Sequence, residues 1–337
     1  MASPLVRLFE MQPNQVGEFF ALLTERQKSE SRDRKPYFLC RFKDAKRTAG
    51  TLIWSDSFHF DDCEKTWQIG RFYRLRAKYI DHKEFGSQIE LLGLRPVNEK
   101  DRREGFTEIE YIERYRKPPE EAFSALCSLA SERLLDTSLK NLVLYLLETH
   151  REALLRLPAS PKHYYPFAGG WLEHTLRVAE HSLILAERYR TIYADSQPPL
   201  NTDIVLAGAI LHEIGRAVEL RPSPEFFDWT ETTIEGRLAG HSILGRDLVR
   251  QAGALFPELH PHLLKLLEHV VLAHLALPEW GSPRLPAVPE VLIVHHADDL
   301  DAKMEMFQRC LRNDPSSRDF TERDPILGRQ LWKSREV

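Results

Sequence analysis

The residues of this chain most suited to chemistry are histidines and acids placed in short, ordered motifs. In chain order they are His174, the adjacent pair His212-Glu213, His241, His274 and Asp298. Imidazole and carboxylate together suit borderline divalent metals such as manganese, iron, zinc or nickel. Adjacent imidazole and carboxylate groups on one helix can serve a pair of ions. Two metals together orient and activate water and stabilise the oxyanions of a phosphodiester under attack. Any one of these histidines alone would be read as an ordinary core or surface residue. The ordered set is what points to a metal site.

Each candidate lies in or beside an expected helix. Apolar residues recur at three- and four-residue intervals over Ala122 to Leu135, Leu139 to Arg156, Trp171 to Tyr193, Asp203 to Ile214, His241 to Gln251 and Pro261 to Leu277. That periodicity marks amphipathic helices. Gly169-Gly170 precedes one of them and Gly215 follows another, as start and stop signals. A helical bundle brings ligands from distant helices to one inward-facing point.

The first hundred residues carry a different pattern. Tyr37 to Lys43 alternates, with Phe38, Cys40 and Phe42 on one face and Tyr37, Leu39, Arg41 and Lys43 on the other. Period-two patterning predicts a half-buried strand. Thr48 to Trp54 reads as its hairpin partner. Arg71 to Tyr79 alternates again, with Arg74, Arg76 and Lys78 opposite Tyr73, Leu75, Ala77 and Tyr79. Gln88 to Leu94 follows a turn around Phe85-Gly86, and a short helix is expected over Asp61 to Trp67. About five short strands with one inserted helix is what a small Greek-key barrel of the OB type requires. The fold class expected is therefore α+β and multidomain: an OB-type barrel at residues 1–100, a charged linker or helix at 101–120, an all-α helical bundle at 121–313 and a tail at 314–337.

The expected barrel also bears the marks of a single-strand binder. Between Arg32 and Arg47 the basic residues Arg32, Arg34, Lys35, Arg41, Lys43, Lys46 and Arg47 face only the acids Asp33 and Asp44, with Tyr37, Phe38 and Phe42 interleaved. Arg74, Arg76 and Lys78 form a second stripe. Cations along a backbone and aromatic faces under bases hold single strands, which makes Tyr37, Arg41, Lys43, Arg74, Arg76 and Lys78 the candidate nucleic-acid contacts. A solvated charged face over an aromatic core has the same local pattern.

The motifs GGWLEHT, LAGAILHEIGRAVEL, LAGHSILG, EWGSPRLPAVPE and HHADDLDAKM, with the stretch from Phe320 to Lys333, carry a family resemblance. The chain resembles HD-domain phosphohydrolases, and more closely the YhaM-type 3′–5′ exoribonucleases, which place an OB-fold domain before an HD domain. The resemblance implies metal ligands at His174, His212, His241, His274 and Asp298, with one or two divalent ions, manganese first and iron, nickel or zinc as alternatives. It implies hydrolysis of single-stranded RNA or DNA, with His212, Glu213 and Asp298 in the catalytic centre. Arg216 sits where the family has lysine, as a phosphate contact or as a charge at a helix terminus. Two positions depart from the family pattern. Glu213 stands for aspartate and adds a methylene, and Leu275 stands for a second histidine and cannot bind a metal. A nucleotide phosphohydrolase and a binding module with an impaired centre are the alternatives. His295 is a candidate for supporting a ligand or for packing, His269 points away from His274, and no role follows for His163-Tyr164-Tyr165.

Composition sets bounds on the rest. With 42% hydrophobic and 28% charged residues the 337-residue chain can bury a core. A net charge of -4 gives no global argument for nucleic acid, so any basic surface is local. The four cysteines contain no CxxC pair, which argues against a zinc ribbon or a disulfide framework and fits a reduced cytoplasmic setting. No signal peptide and no membrane span are expected. A homo-oligomer is left open.

Overall fold

The computed structural model describes residues 5–82, 86–111, 118–222, 230–314, 318–324 and 326–333. Five strands come first: β1 (Val16–Glu30), β2 (Pro36–Lys43), β3 (Thr48–Trp54), β4 (Phe72–His82) and β5 (Gly86–Pro96). They close into a barrel in the order β1-β2-β3-β5-β4. All neighbours are antiparallel except β3 and β5, which meet in parallel through Gly50 and Gln88. The helix α1 (Phe60–Lys65) sits between β3 and β4. This strand order and helix position are those of an OB-type barrel, as the alternation predicts. Phe38, Cys40 and Phe42 from β2 and Tyr73, Leu75, Ala77 and Tyr79 from β4 all enter one core with Phe19, Ala21 and Leu23 of β1. Of the expected turn at Phe85-Gly86, Phe85 lies outside the described residues, and Gly86 opens β5 at φ +65°.

β1, at 15 residues, has no counterpart in the strands read from alternation. Both of its faces are buried where it crosses β4. Phe20 and Leu22 point outward, yet they pack against Phe72, Phe106 and Tyr111. The charged stretch after β5 thus does structural work. It forms α2 (Glu99–Arg103) and a 3-10 turn (Glu108–Tyr111) that lie over the barrel wall. Asp101 anchors it, accepting from Arg95 at 2.5 and 2.6 Å and from Arg74 at 3.1 Å.

From Pro119 to Asn313 the described residues are mainly helical: α3 (Pro119–Arg133), α4 (Thr137–Thr149), α5 (Arg151–Leu154), α6 (Gly170–Ile192), α7 (Thr202–Leu211), α8 (Arg216–Glu219), α9 (Ile234–Gly253), α10 (Pro261–Ala273) and α11 (Pro289–Asn313). A two-stranded ribbon, β6 (Leu220–Pro222) with β7 (Thr230–Thr232), joins α8 to α9. The helix expected from Leu139 to Arg156 divides at His150, the C-cap of α4. α7 is apolar all round, every residue from Ile204 to Leu211 is buried, and such a helix belongs at a bundle centre. It packs on α6, α10 and α11. Asn201 caps its start by accepting from the Ile204 N–H at 3.1 Å. Its end is held by Gly215, where an added Cβ would stand 1.9 Å from the His241 carbonyl oxygen. That contact lets the segment after α7 lie directly on α9. α9 itself kinks at Gly240 (φ 74°, ψ 159°), a conformation in which L side chains are strained, and the kink turns the chain immediately before His241.

Among the described residues no helix is long and apolar enough to cross a membrane.

Candidate metal centre

All six ligand-type residues picked from the sequence converge in the helical half. His174 comes from the first turns of α6, His212-Glu213 from the end of α7, His241 from α9, His274 from the end of α10 and Asp298 from α11. They form two triads. His174, His212 and Asp298 bring one ligand atom each within 4.8 Å of one another, and so do Glu213, His241 and His274. The pair His212-Glu213 contributes one member to each, and ring contacts run His174–His212–His274–His241 at 5.2–5.5 Å between centroids. Four of the six are fully buried, and the most exposed, His241, is 9% accessible.

Local hydrogen bonds aim the ring nitrogens inward. His212 Nδ1 lies 2.7 Å from the Ala209 carbonyl and His274 Nδ1 lies 2.8 Å from the Val271 carbonyl. A carbonyl only accepts, so both Nδ1 atoms carry the proton and both Nε2 lone pairs face the centre. His174 Nδ1 meets Asp301 Oδ2 at 2.9 Å, while its Nε2 lies 3.1 Å from Asp298 Oδ1 and 3.4 Å from His212 Nε2. This bonding of the outward nitrogen to a fixed acceptor is what metal-binding histidines require. His295 adds one further support by donating from Nδ1 to the His274 carbonyl at 2.7 Å.

The electrostatics call for a cation. Burial pulls the His174 pKa down, but Asp298 and Asp301 more than offset it and hold it up at about 9. The ring therefore keeps a proton between two carboxylates where a divalent ion would serve. Burial drops His212 to about 4, so it stays neutral with its lone pair free to bind. Among the described residues the buried Nε2 of His274 has no hydrogen-bond partner, an orphan of the kind a metal satisfies. Donor set, lone-pair direction and orphaned nitrogen all fit divalent-metal binding.

Glu213 is held differently. Its Oε2 accepts from Arg216 Nε at 2.5 Å, and its Oε1 accepts from Arg216 Nη2 and from the Tyr164 hydroxyl, each at 3.3 Å. Burial would raise its pKa, but Arg216 and His241 drive it well below the ordinary carboxylate value. Arg216 is bound on its other edge by Glu219. Arg216, expected as a phosphate contact or as a charge at a helix terminus, spends its donors on two carboxylates. Burial and Glu213 push the Tyr164 phenol well up, so it remains an O–H donor. Leu275, where the resemblance has histidine, is partly buried just after α10 and offers no ligand. His269 accepts from the Ala287 N–H at 3.0 Å and takes no part in either triad.

Glu219 and Asp301 were not picked out from the sequence, and Tyr164 was noted before the Gly169-Gly170 turn without a role. Asp301 carried a usable signal, since it lies three residues after Asp298 on the same face of α11. Glu219 had the same spacing from Arg216. The partner of Tyr164 could not be read, because Tyr164 reaches Glu213 from a loop 49 residues away.

The candidate strand contacts divide into two groups. Arg41 and Lys43 pair in register with Glu25 and Leu22, whereas Arg74, Arg76 and Lys78 pair with Phe20, Glu18 and Val16 toward the other end of β1. Arg74 is engaged with Glu18 at 2.7 Å and with Asp101, so it serves the barrel wall. Arg76 is exposed, and Lys78 is half-buried. Tyr37 is half-buried against the Trp54 ring at 5.0 Å, and Arg41 is half-exposed with Glu25 at 2.9 Å. A cleft of about 1500 Å³ runs between barrel and helices. Arg41, Lys43 and Lys46 line it from the barrel and Lys162 from the helical side, with acids such as Glu25 and Glu231 among its walls.

Among solved structures, the chain is similar to the second OB-fold domain of replication protein A from Methanococcus maripaludis, at 12% identity over 28% of this chain and 96% of that one, with a TM-score of 0.22. Residues 171–303 match the family model described as HD domain, a span that holds both triads and Asp301.

Proposed function

We propose that this chain is a metal-dependent phosphodiesterase that trims single-stranded RNA from its 3′ end, with single-stranded DNA as an alternative substrate. The observation that carries this reading is the meeting of two buried ligand triads at the adjacent residues His212 and Glu213. His174, His212 and Asp298 would hold one divalent ion and Glu213, His241 and His274 a second, manganese being the first expectation. Such ions supply Lewis-acid chemistry, polarising a phosphoryl oxygen and activating water for attack on phosphorus. The chain's own residues prepare the ligands. Asp301 and two backbone carbonyls fix the histidine lone pairs inward, while Arg216 and His241 keep Glu213 ionised. Tyr37, Arg41 and Lys43 would receive the strand beside the cleft, bases against the ring and phosphates against the cations. An HD domain with a five-stranded barrel before it supports the pairing of cutting and holding.

The test is a time course on end-labelled single-stranded RNA with added Mn²⁺, with His212→Ala and Asp298→Ala run beside the wild type. A ladder shrinking from the 3′ end, lost in both variants while RNA affinity persists, is the expected result. Equal cleavage by all three proteins would remove the metal centre from the reaction. A second reading, hydrolysis of free nucleotides by the same centre, is favoured by the near-complete burial of the ligands. Nucleotide hydrolysis with RNA left intact would select it.

A further inference from the structure

The two triads share a pair of neighbouring residues, yet their carboxylates stand in opposite surroundings. Asp298 Oδ1 faces imidazoles, with His174 Nε2 at 3.1 Å and His212 Nε2 at 3.9 Å, and among the described residues no lysine or arginine pairs with it. A cation entering that triad has no lysine or arginine to displace from the Asp298 carboxylate. Glu213 already has a cation. Arg216 binds both of its oxygens, and the oxygen that lies 3.4 Å from His241 Nε2 and 3.9 Å from His274 Nε2 is the one that also accepts from Tyr164. Arg216 is itself fixed by Glu219, which lies 3.8 Å from His241 Nδ1. Glu213, Arg216 and Glu219 follow one another at three-residue spacing through the α8 turn, so the guanidinium is clamped from both sides. Bidentate, charge-assisted pairs of this kind are among the strongest side-chain interactions.

We propose that the two triads are unequal: His174, His212 and Asp298 form a tight divalent-cation site, whereas Glu213, His241 and His274 form an exchangeable one whose affinity Arg216 sets by competing for the Glu213 carboxylate. The proposal rests on the metal-centre reading above. The orphaned Nε2 of His274 shows that the second triad has a ligand to offer. What it lacks is a carboxylate free of a counter-ion. Filling it requires Glu213 to exchange Arg216 for the metal. Arg216 is in this account a positioning residue, acting through Glu213.

The experiment measures Mn²⁺ bound per full-length chain, by titration and by metal analysis after desalting, with no substrate present. Wild type is expected to keep one ion through desalting and to take a second at least tenfold more weakly. Arg216→Gln leaves Glu213 as a buried charge without its partner, and it is expected to tighten the second site tenfold or more and to retain two ions. Asp298→Ala should lose the tight ion. Two equally tight ions in wild type, or an Arg216→Gln second site no tighter than wild type, would overturn the proposal. Should Arg216→Gln not fold, Arg216→Lys keeps the charge but loses the two-pronged grip, and a second site no tighter than wild type there would equally overturn it. Wild type that takes up no Mn²⁺ at all would sink the metal-centre reading itself, an outcome visible before any Arg216 variant is made.

Discussion

Asp301 belongs to neither triad, yet its removal should weaken metal binding. Its Oδ2 accepts from His174 Nδ1 at 2.9 Å inside a wholly buried setting. That bond places the proton on Nδ1 and turns Nε2 toward Asp298. Replacing such a supporting acceptor typically lowers metal affinity about 10–100-fold, which is about 1.4–2.8 kcal/mol. A proton effect runs the other way. Because Asp298 and Asp301 hold the His174 pKa up at about 9, the proton competes with the metal throughout the neutral range. Wild-type affinity should therefore rise with pH up to about 9, by roughly tenfold per unit for the single proton released. In Asp301→Ala the His174 pKa falls and the rise should level off at lower pH. Affinity at pH 7 alone mixes the two effects. The assay is a chelator-competition titration with Mn²⁺ across a pH series, from which the pH-independent affinity is extracted. Asp301→Ala should lose 10–100-fold in that limiting value, and Asp301→Asn, which still accepts the hydrogen bond, about tenfold. A folded Asp301→Ala protein with unchanged limiting affinity and an unchanged pH profile would refute the argument that this carboxylate orients His174.

Two further outcomes follow from contacts outside the ligands. Asp101 is buried under Arg95 and Arg74, and the Arg95 guanidinium holds its carboxyl well below the usual value. A depressed pKa contributes stability that is complete above the unfolded-state value of about 3.9 and is lost as pH falls through the folded-state value. Asp101→Asn should thus cost about 3 kcal/mol near neutral pH, with a difference from wild type that shrinks below about pH 4; denaturant melts at several pH values measure it, and equal midpoints near neutrality would contradict it. Gly215→Ala would drive a Cβ to within 1.9 Å of the His241 carbonyl oxygen and 2.6 Å of the Gly245 nitrogen, both backbone atoms. Thermal unfolding and metal content should fall together, by more than about 3 kcal/mol in stability, and an unchanged melt would mean that the segment after α7 does not rest on α9 as described.

What could be read from the sequence, and what could not, follows from the range of the interactions involved. The alternation of β2 and β4 was legible because each has one face in the barrel core and one outside it. The helices were legible from their apolar periodicity, and the candidate histidines from the short ordered motifs they occupy. β1 was illegible for the opposite reason. Its outward residues Phe20 and Leu22 are covered by Phe106 and Tyr111, more than eighty positions later, so the strand shows no alternation and its Glu, Ala, Leu and Gln read as helix formers. Arg74 fails in the same way. Alone it reads as a solvated cation ready for phosphate, but its partner Asp101 arrives 27 residues on and turns it inward to the barrel wall. Arg216 is the instructive intermediate. Its partners Glu213 and Glu219 are three residues to either side, so the ion-pair clamp is written at helical spacing and could have been read. The same spacing would equally suit an arginine reaching past two acids to a phosphate, and what separates the two is the direction of the guanidinium. In the folded chain that direction is toward Glu213. A phosphate contact at Arg216 would have to draw the guanidinium away from the two carboxylates, Glu213 and Glu219, that hold it in the folded chain.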